Sequence, residues 1–501
     1  MSGIFGVISK DKDCAELLFY GTDYHSHLGT EYGGMAVLGE HFVRQIHNIS
    51  QSQFKSKFFD DYKTMKGQKG IGVISALDEQ PIYLNSKFGP FCLVTNGVVE
   101  NKEELMMALL DKGISFSEVA KGTVNTTELI AKLISQGTSL AKGIEEMFEA
   151  IEGSCSLLLL HKDGIYAARD KWGYTPLVIG KRDDGTQAVT SETCAFPNND
   201  FNIVKYLGPG EIMLISEKGA VQKSTGKNKE QICAFLWIYT GFPASNYAGV
   251  NTEIVREKCG AFLAKRDTDI EVDVVSGVPD SGTAHAIGYA KESGKPYRRP
   301  LVKYTPGYGR SYTPPSQETR DQIAKMKLIA IKAIIEKNRL VVCEDSIVRG
   351  TQLKNFTINK LWDAGAREIH VRPACPPQMF PCKFNLSTRS IHELAARKAI
   401  RGLEGKDISD VSEYIDHASP KYKKMIEWIR KDLDITTLRY QTIEDMVEAI
   451  GLPREKLCLY CWTGVCPEKN QKKNVSANTS LRAKKPPRHC EETLKAATRQ
   501  S

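Results

Sequence analysis

The chain lacks any apolar run approaching the ~18 residues that a membrane-crossing helix needs. Its opening residues, Met1-Ser2-Gly3-Ile4-Phe5, show neither a basic leader with a cleavable apolar segment nor a glycine directly after Met1. Secretion and myristoylation are therefore not expected, and a cytoplasmic location is. Internal repeats are absent. The 13 cysteines are odd in number and follow no leader, which argues against a disulfide framework. Cys155 and Cys343 sit in apolar runs and read as buried thiols. The net charge of +8 suggests a nucleic-acid binder only until it is localised. Residues 468–501 hold nine Lys/Arg and three Asp/Glu, a net of +6, which leaves about +2 for the remainder. That stretch has almost no large apolar residues and reads as a basic disordered tail.

What is present fits a soluble globular protein of two or three domains: 501 residues, 41% hydrophobic and 26% charged. Two regimes meet near the polar stretch 222–231, which reads as a linker. Before it, strand-like runs (Ile4–Ile8, Gly34–Leu38, Phe91–Asn96, Ser156–His161, Gly164–Arg169, Leu177–Gly180, Glu211–Ile215) alternate with helical patterns at Asn101–Leu110 and Thr126–Ser135. This predicts an α+β or layered sandwich domain. After it, strands at Val272–Ser276, Arg339–Cys343 and Glu368–Pro373 alternate with helices at Gly282–Lys291 and Gln352–Ala364. This predicts an α/β parallel sheet, with ligands bound beyond the carboxyl ends of its strands.

One such strand end has a clear chemical logic. Leu340-Val341-Val342-Cys343 runs into Glu344-Asp345, then Ser346-Ile347-Val348-Arg349-Gly350-Thr351, then a helix. Backbone N–H groups at a helix start favour phosphate, glycine permits its close approach, and paired acids can hold ribose hydroxyls directly or through Mg²⁺. The plain alternative is a strand–turn–helix with a capping acid. The full string, however, resembles the signature by which type I phosphoribosyltransferases bind phosphoribosyl pyrophosphate (PRPP), with Glu344 in place of the usual first Asp. Val278-Pro279-Asp280-Ser281-Gly282-Thr283 supplies a second loop suited to pyrophosphate. The Gly/Pro-rich stretch around Gly309-Arg310 and Gln317–Arg320, followed by Lys325 and Lys327, reads as a cationic lid.

Together with Arg372-Pro-Ala-Cys-Pro-Pro-Gln-Met-Phe-Pro-Cys382, these pieces resemble the amidophosphoribosyltransferase family over roughly residues 2–467. Gly3–Gly6, Thr95-Asn96-Gly97, Ala168-Arg169-Asp170 and Ser191-Glu192-Thr193-Cys194-Ala195 match its N-terminal-nucleophile glutaminase half. The resemblance implies an αββα sandwich over 1–232, a type I phosphoribosyltransferase domain over 233–467, and the tail. It also implies formation of 5-phosphoribosylamine from PRPP and ammonia, the first step of purine synthesis. Mg²⁺ would sit at Ser281, Glu344 and Asp345. Asp280, Ser281, Gly282, Ser346, Val348, Arg349, Gly350 and Thr351 would bind PRPP, with Arg310 and Lys327 acting at the pyrophosphate. Purine nucleotide effectors and a homo-oligomer are implied as well. Cys233, Cys382, Cys458 and Cys461 match the ligands of a [4Fe–4S] cluster in the iron–sulfur branch. Four thiolates also suit zinc, free thiols remain an alternative, and Cys466 lies near enough to compete.

The glutaminase half departs from its pattern. The nucleophilic cysteine position is Ser2, whose hydroxyl needs far stronger activation than a thiol. The family arginine falls at Leu28, and the aspartate that pairs with the α-amino group falls at Thr126. A segment carrying a second arginine is shortened at Gly70–Pro81. The oxyanion positions Asn96 and Gly97 remain. Loss of glutamine hydrolysis is expected, leaving free ammonia, ammonia from a partner, or another amine. A non-catalytic PRPP- or nucleotide-binding paralogue is the alternative.

Overall fold

A computed structural model describes residues 2–10, 12–117, 119–120, 123–227, 229–304, 328–351, 353–385 and 390–466. Two antiparallel sheets make the first layered unit. The seven-stranded sheet runs in the order Asn202–Tyr206, Val178–Lys181, Gln187–Thr190, Gly3–Ile8, Lys69–Ser75, Tyr32–Leu38, Phe42–Asn48. The six-stranded sheet runs Gly219–Thr225, Glu211–Ser216, Gly164–Ala168, Gly153–His161, Gly89–Val99, Ile82–Ser86.

Strand alternation explains the layering. Ile4, Ile71, Val73, Val94, Leu158, Leu160 and Val189 meet between the sheets, while the next residue, Phe5, faces helix Ala15–Asp23 on the outside with Leu18 and Phe19. Leu157 and Leu159 face the opposite outer layer with Ile130 and Ile144, from helices Thr126–Gln136 and Leu140–Ala150. The expected αββα sandwich is what forms.

The second unit is a parallel sheet in the order Val274–Gly277, Arg339–Glu344, Glu368–Pro373, Thr437–Leu438. Val341 and Cys343 enter one core with helices Thr252–Lys265 and Thr283–Ser293. Leu340 and Val342 enter the other, with helices Ala395–Glu404 and Pro420–Leu433. Burial on both faces is why these strands are continuous apolar runs. A short parallel pair, Ile232–Cys233 with Leu457–Cys458, ties the chain leaving the sandwich to the end of the second unit.

Two expectations need correction. The polar stretch 222–231 is not all linker: Gly219–Thr225 is a strand paired with Glu211–Ser216. It lies at the sheet edge with mostly exposed side chains, so it carries no apolar alternation. The helix expected from Gln352 begins as wide π turns over Leu353–Ile358 and becomes regular only over Asn359–Asp363. It ends, as expected, at Gly365, whose φ of +87° suits glycine. The expected tail lies outside the described residues.

Candidate active site

Two loops meet beyond the carboxyl ends of neighbouring parallel strands. Arg339–Glu344 ends in Glu344 and Asp345, 8% and 5% exposed. Val274–Gly277 leads through residues 278–282 into helix Thr283–Ser293. Ser281 Oγ donates to Glu344 Oε1 at 2.8 Å. Val278 N–H donates to the Cys343 carbonyl at 3.0 Å. A Cβ on Gly282 would lie 2.1 Å from that same carbonyl oxygen, so only glycine lets the loops approach this closely.

The rest of the loop is held from below. Ser346 Oγ donates to Asp345 Oδ1. Ile347 packs into the core. The Val348 carbonyl accepts from Ala395 N–H at 2.8 Å. Gly350, at φ +79°, closes the turn, and its carbonyl accepts from Lys354 N–H at 2.9 Å. Arg349 and Thr351 stay exposed, and Arg349 pairs with Glu393 at 2.8 Å. Asp280 does not join the acid pair. Its carboxylate is exposed and accepts from Lys303 Nζ at 3.0 Å. Arg310 and Lys327 lie outside the described residues.

Burial raises the pKa of Glu344 well above the usual range, and the charge of Asp345 adds to it. Burial also raises Asp345, against hydrogen bonds from Glu344, Ser346 and Ser281 that favour its ionised form. Two adjacent buried carboxylates are costly when both are ionised and no cation is near. The donor set of two carboxylates and a serine hydroxyl therefore fits a hard divalent cation or ribose hydroxyls. Arg256, which helps keep Asp345 ionised, is itself buried. Its guanidinium is spent on the carbonyls of Trp237, Tyr239 and Gly241 at 2.7–3.0 Å.

At the other predicted centre, Ser2 is buried. Its N–H donates to Asn96 Oδ1 at 3.1 Å, and its Oγ accepts from Ala76 N–H at 3.3 Å. The backbone requires glycine at Gly97, since a Cβ there would lie 2.0 Å from the Ser154 carbonyl oxygen. Thr126 opens a helix capped by Asn125. His27, beside Leu28, meets the buried Glu192 at 3.6 Å.

Glu192 was legible only as part of a matched segment, without a role. Its carboxylate accepts from the hydroxyls of Ser245 and Tyr247, both at 2.5 Å, and from Phe242 N–H at 3.3 Å. Burial opposes its ionisation, yet the nearby His27 and hydrogen bonds from Ser245 and Tyr247 bring its pKa below the ordinary value. This anchors the sandwich to the chain entering helix Thr252–Lys265, which carries Arg256.

The four predicted cysteines converge. Cys233, Cys382, Cys458 and Cys461 line one cavity with Tyr174, Phe384, Asn385 and Trp462. Cys233 and Cys458 are register partners in the short parallel pair. The neighbouring Cys461 thiol lowers Cys382 to about 7, and burial pushes Cys233 up to about 12. Cys466 packs nearby in a cluster with Cys458 and Cys382. Among the described residues no three His, Cys, Asp or Glu side chains converge closely enough to hold a single metal ion. The thiols surround a space instead, and four thiolates around a space are a donor set that fits an iron–sulfur cluster.

Comparison with known proteins resolves what this pairing of sites is. The chain is 30% identical to the amidophosphoribosyltransferase of Methanocaldococcus jannaschii, a match covering 93% of this chain and 98% of that one. The chain belongs to the amidophosphoribosyltransferase family. The family's enzyme from Bacillus subtilis is likewise 30% identical, over 93% of this chain and 94% of its own. Residues 70–198 match a glutamine amidotransferase domain model. The solved B. subtilis glutamine PRPP amidotransferase, complexed with ADP and GMP, superposes with a TM-score of 0.79 at 29% identity, over 93% of this chain and 97% of that one. A structure of the allosteric regulatory enzyme of purine biosynthesis gives the same TM-score and identity. The two-unit fold is thus that of the family.

Proposed function

We propose that this chain transfers the phosphoribosyl group of PRPP to ammonia, giving 5-phosphoribosylamine and pyrophosphate, and that it does not hydrolyse glutamine. The observation that carries the first half is the buried cluster of Glu344 and Asp345 with Ser281 at the strand ends. Glu344, Asp345 and Ser281 would hold Mg²⁺ and the ribose hydroxyls, and the backbone around Ser346–Thr351 would take the 5′-phosphate. Bound Mg²⁺ supplies charge neutralisation at the pyrophosphate. The 278–282 turn orients that group, and Arg310 and Lys327 supply further positive charge as it leaves. Ammonia is already a nucleophile, so no strong protein base is required.

The second half rests on Ser2, Leu28 and Thr126. Without an arginine and an aspartate at those last two positions, the two charges of glutamine are left uncompensated, at about 3–5 kcal/mol for each buried one. The proposed organisation is a glutaminase-like domain over 1–232, a phosphoribosyltransferase domain over 233–467 and a tail over 468–501. Cys233, Cys382, Cys458 and Cys461 are proposed to hold a [4Fe–4S] cluster. Purine nucleotides are proposed as effectors, as ADP and GMP accompany the B. subtilis enzyme. A homo-oligomer and a cytoplasmic location complete the reading.

The eroded donor half favours one alternative, a PRPP- or nucleotide-binding regulator. Equilibrium binding of PRPP–Mg²⁺, followed by pyrophosphate release with a panel of amines, separates the two. Turnover with ammonium supports the enzyme, turnover only with a different amine changes the acceptor, and tight binding without any turnover replaces the enzyme by the regulator.

A further inference from the structure

The cysteine cavity is lined by an amide side chain, Asn385, that no part of the proposed reaction uses. Asn385 is 6% exposed, and its Nδ2 is buried with no hydrogen-bond partner. The rest of the residue is fixed. Its backbone N–H donates to Cys382 Sγ at 3.3 Å. Its Oδ1 accepts from Thr175 Oγ1 at 3.4 Å, a residue of the sandwich unit. The adjoining Phe384 ring stacks on Tyr174 with centroids 3.9 Å apart. With the acceptor end occupied and the residue lining the cavity beside Cys233, the amide donor is left to the thiols. A buried donor with no partner is costly, and such groups call for an explanation.

Resting on the cluster reading above, we propose that Asn385 is a positioning residue that sets the electron affinity of the four-thiolate centre, donating its side-chain N–H to Cys233 Sγ and its backbone N–H to Cys382 Sγ. Hydrogen bonds to the sulfurs of such a centre are among the factors that set its reduction potential. They stabilise the more negative, reduced form, so a chain lacking the side-chain donor holds its electron less tightly. The sulfur is a ligand in both states, and no bond is made or broken. Because Asn385 is held by Thr175 and Phe384 by Tyr174, the donor is placed jointly by the two units of the fold.

The test uses the full chain, purified anaerobically, as wild type, Asn385→Asp and Asn385→Leu. Asn385→Asp is isosteric, keeps the acceptor for Thr175 and replaces the donor by a carboxylate. Asn385→Leu removes polarity altogether. Iron and acid-labile sulfide are measured first. Dithionite titration, followed by visible absorption and electron paramagnetic resonance, then gives the midpoint potential. Iron-replete variants are expected to show at least a tenfold shift toward the oxidised form, about 59 mV downward for a one-electron couple, with an unchanged KM for PRPP. An iron-replete variant titrating at the wild-type potential overturns the proposal. So does loss of iron from both variants, which makes Asn385 a structural support only. Absence of iron and sulfide from the wild type sinks the cluster reading itself and this proposal with it.

Discussion

Glu344→Gln should make the unliganded protein more stable while abolishing its substrate response. In the free protein Glu344 and Asp345 are adjacent and buried, and the carboxyl of Glu344 is raised well above its ordinary value, by burial first and by the Asp345 charge second. A carboxyl raised on folding binds more protons in the native than in the unfolded chain. It therefore destabilises the fold progressively as pH climbs from the unfolded toward the folded value. Each unit of that gap is worth about 1.4 kcal/mol. A glutamine keeps an acceptor for the Ser281 hydroxyl and removes the like charge beside Asp345. The expected gain is about 0.5–2 kcal/mol at pH 8, the usual range for relieving a functional site, and it should shrink toward pH 5. Calorimetric melting at both pH values, with and without PRPP and Mg²⁺, measures it. The wild type should gain about 2.7 kcal/mol from ligand at 100 times Kd, and the variant almost nothing. A variant that melts lower at pH 8, or that keeps the full ligand shift, would refute the assignment of these acids.

Three further outcomes follow from other parts of the molecule. Asp267→Asn should destabilise by about 3–5 kcal/mol, seen in denaturant unfolding. Its side chain, 1% exposed, pairs with fully buried Arg372 and, at 2.7 Å, with Arg439, so its loss strands a buried guanidinium. His25 is held down to about 4 by burial, against an ordinary value of 6.5. It takes up a proton only on unfolding, so its contribution is intact above pH 6.5 and is lost at about 1.4 kcal/mol per unit as pH falls toward 4. His25→Asn should flatten that limb of a melting-temperature profile. Ser2→Ala should leave ammonium-dependent turnover within about twofold of wild type, because Ser2 belongs to the other unit. A large loss would show that the two centres are coupled through the N-terminus.

The sequence made the parallel sheet legible because strands such as Arg339–Glu344, buried on both faces, are unbroken apolar runs with glycine or paired acids at their ends. The turn after that strand was legible as well: Glu344-Asp345 mark where the apolar run stops, and Gly350 takes a φ of +79° that suits glycine. Edge strands were not. Gly219–Thr225 exposes most of its side chains, Phe42–Asn48 buries none fully, and the two carry Lys, Gln, Arg and His, so their pattern gives little to distinguish them from linker. Glu192 and Asn385 were hidden for a different reason. Their partners lie 53–55 and 210 residues away in sequence, and a buried acid or amide announces itself only once the fold shows what surrounds it. Asp280 is a case where neighbourhood in sequence did not give the side chain's direction. It lies within the turn that supplies Ser281, yet its side chain turns outward to Lys303.

The central claim is an intact phosphoribosyl centre joined to a glutaminase half that no longer works. Its most direct test is steady-state pyrophosphate release from PRPP and Mg²⁺ by the purified chain, in parallel arms with ammonium and with glutamine, and with Glu344→Gln as the blank. Release with ammonium, none above the blank with glutamine, and no glutamate formed is the predicted result. Glutamine-dependent release at a rate comparable to ammonium would contradict the account.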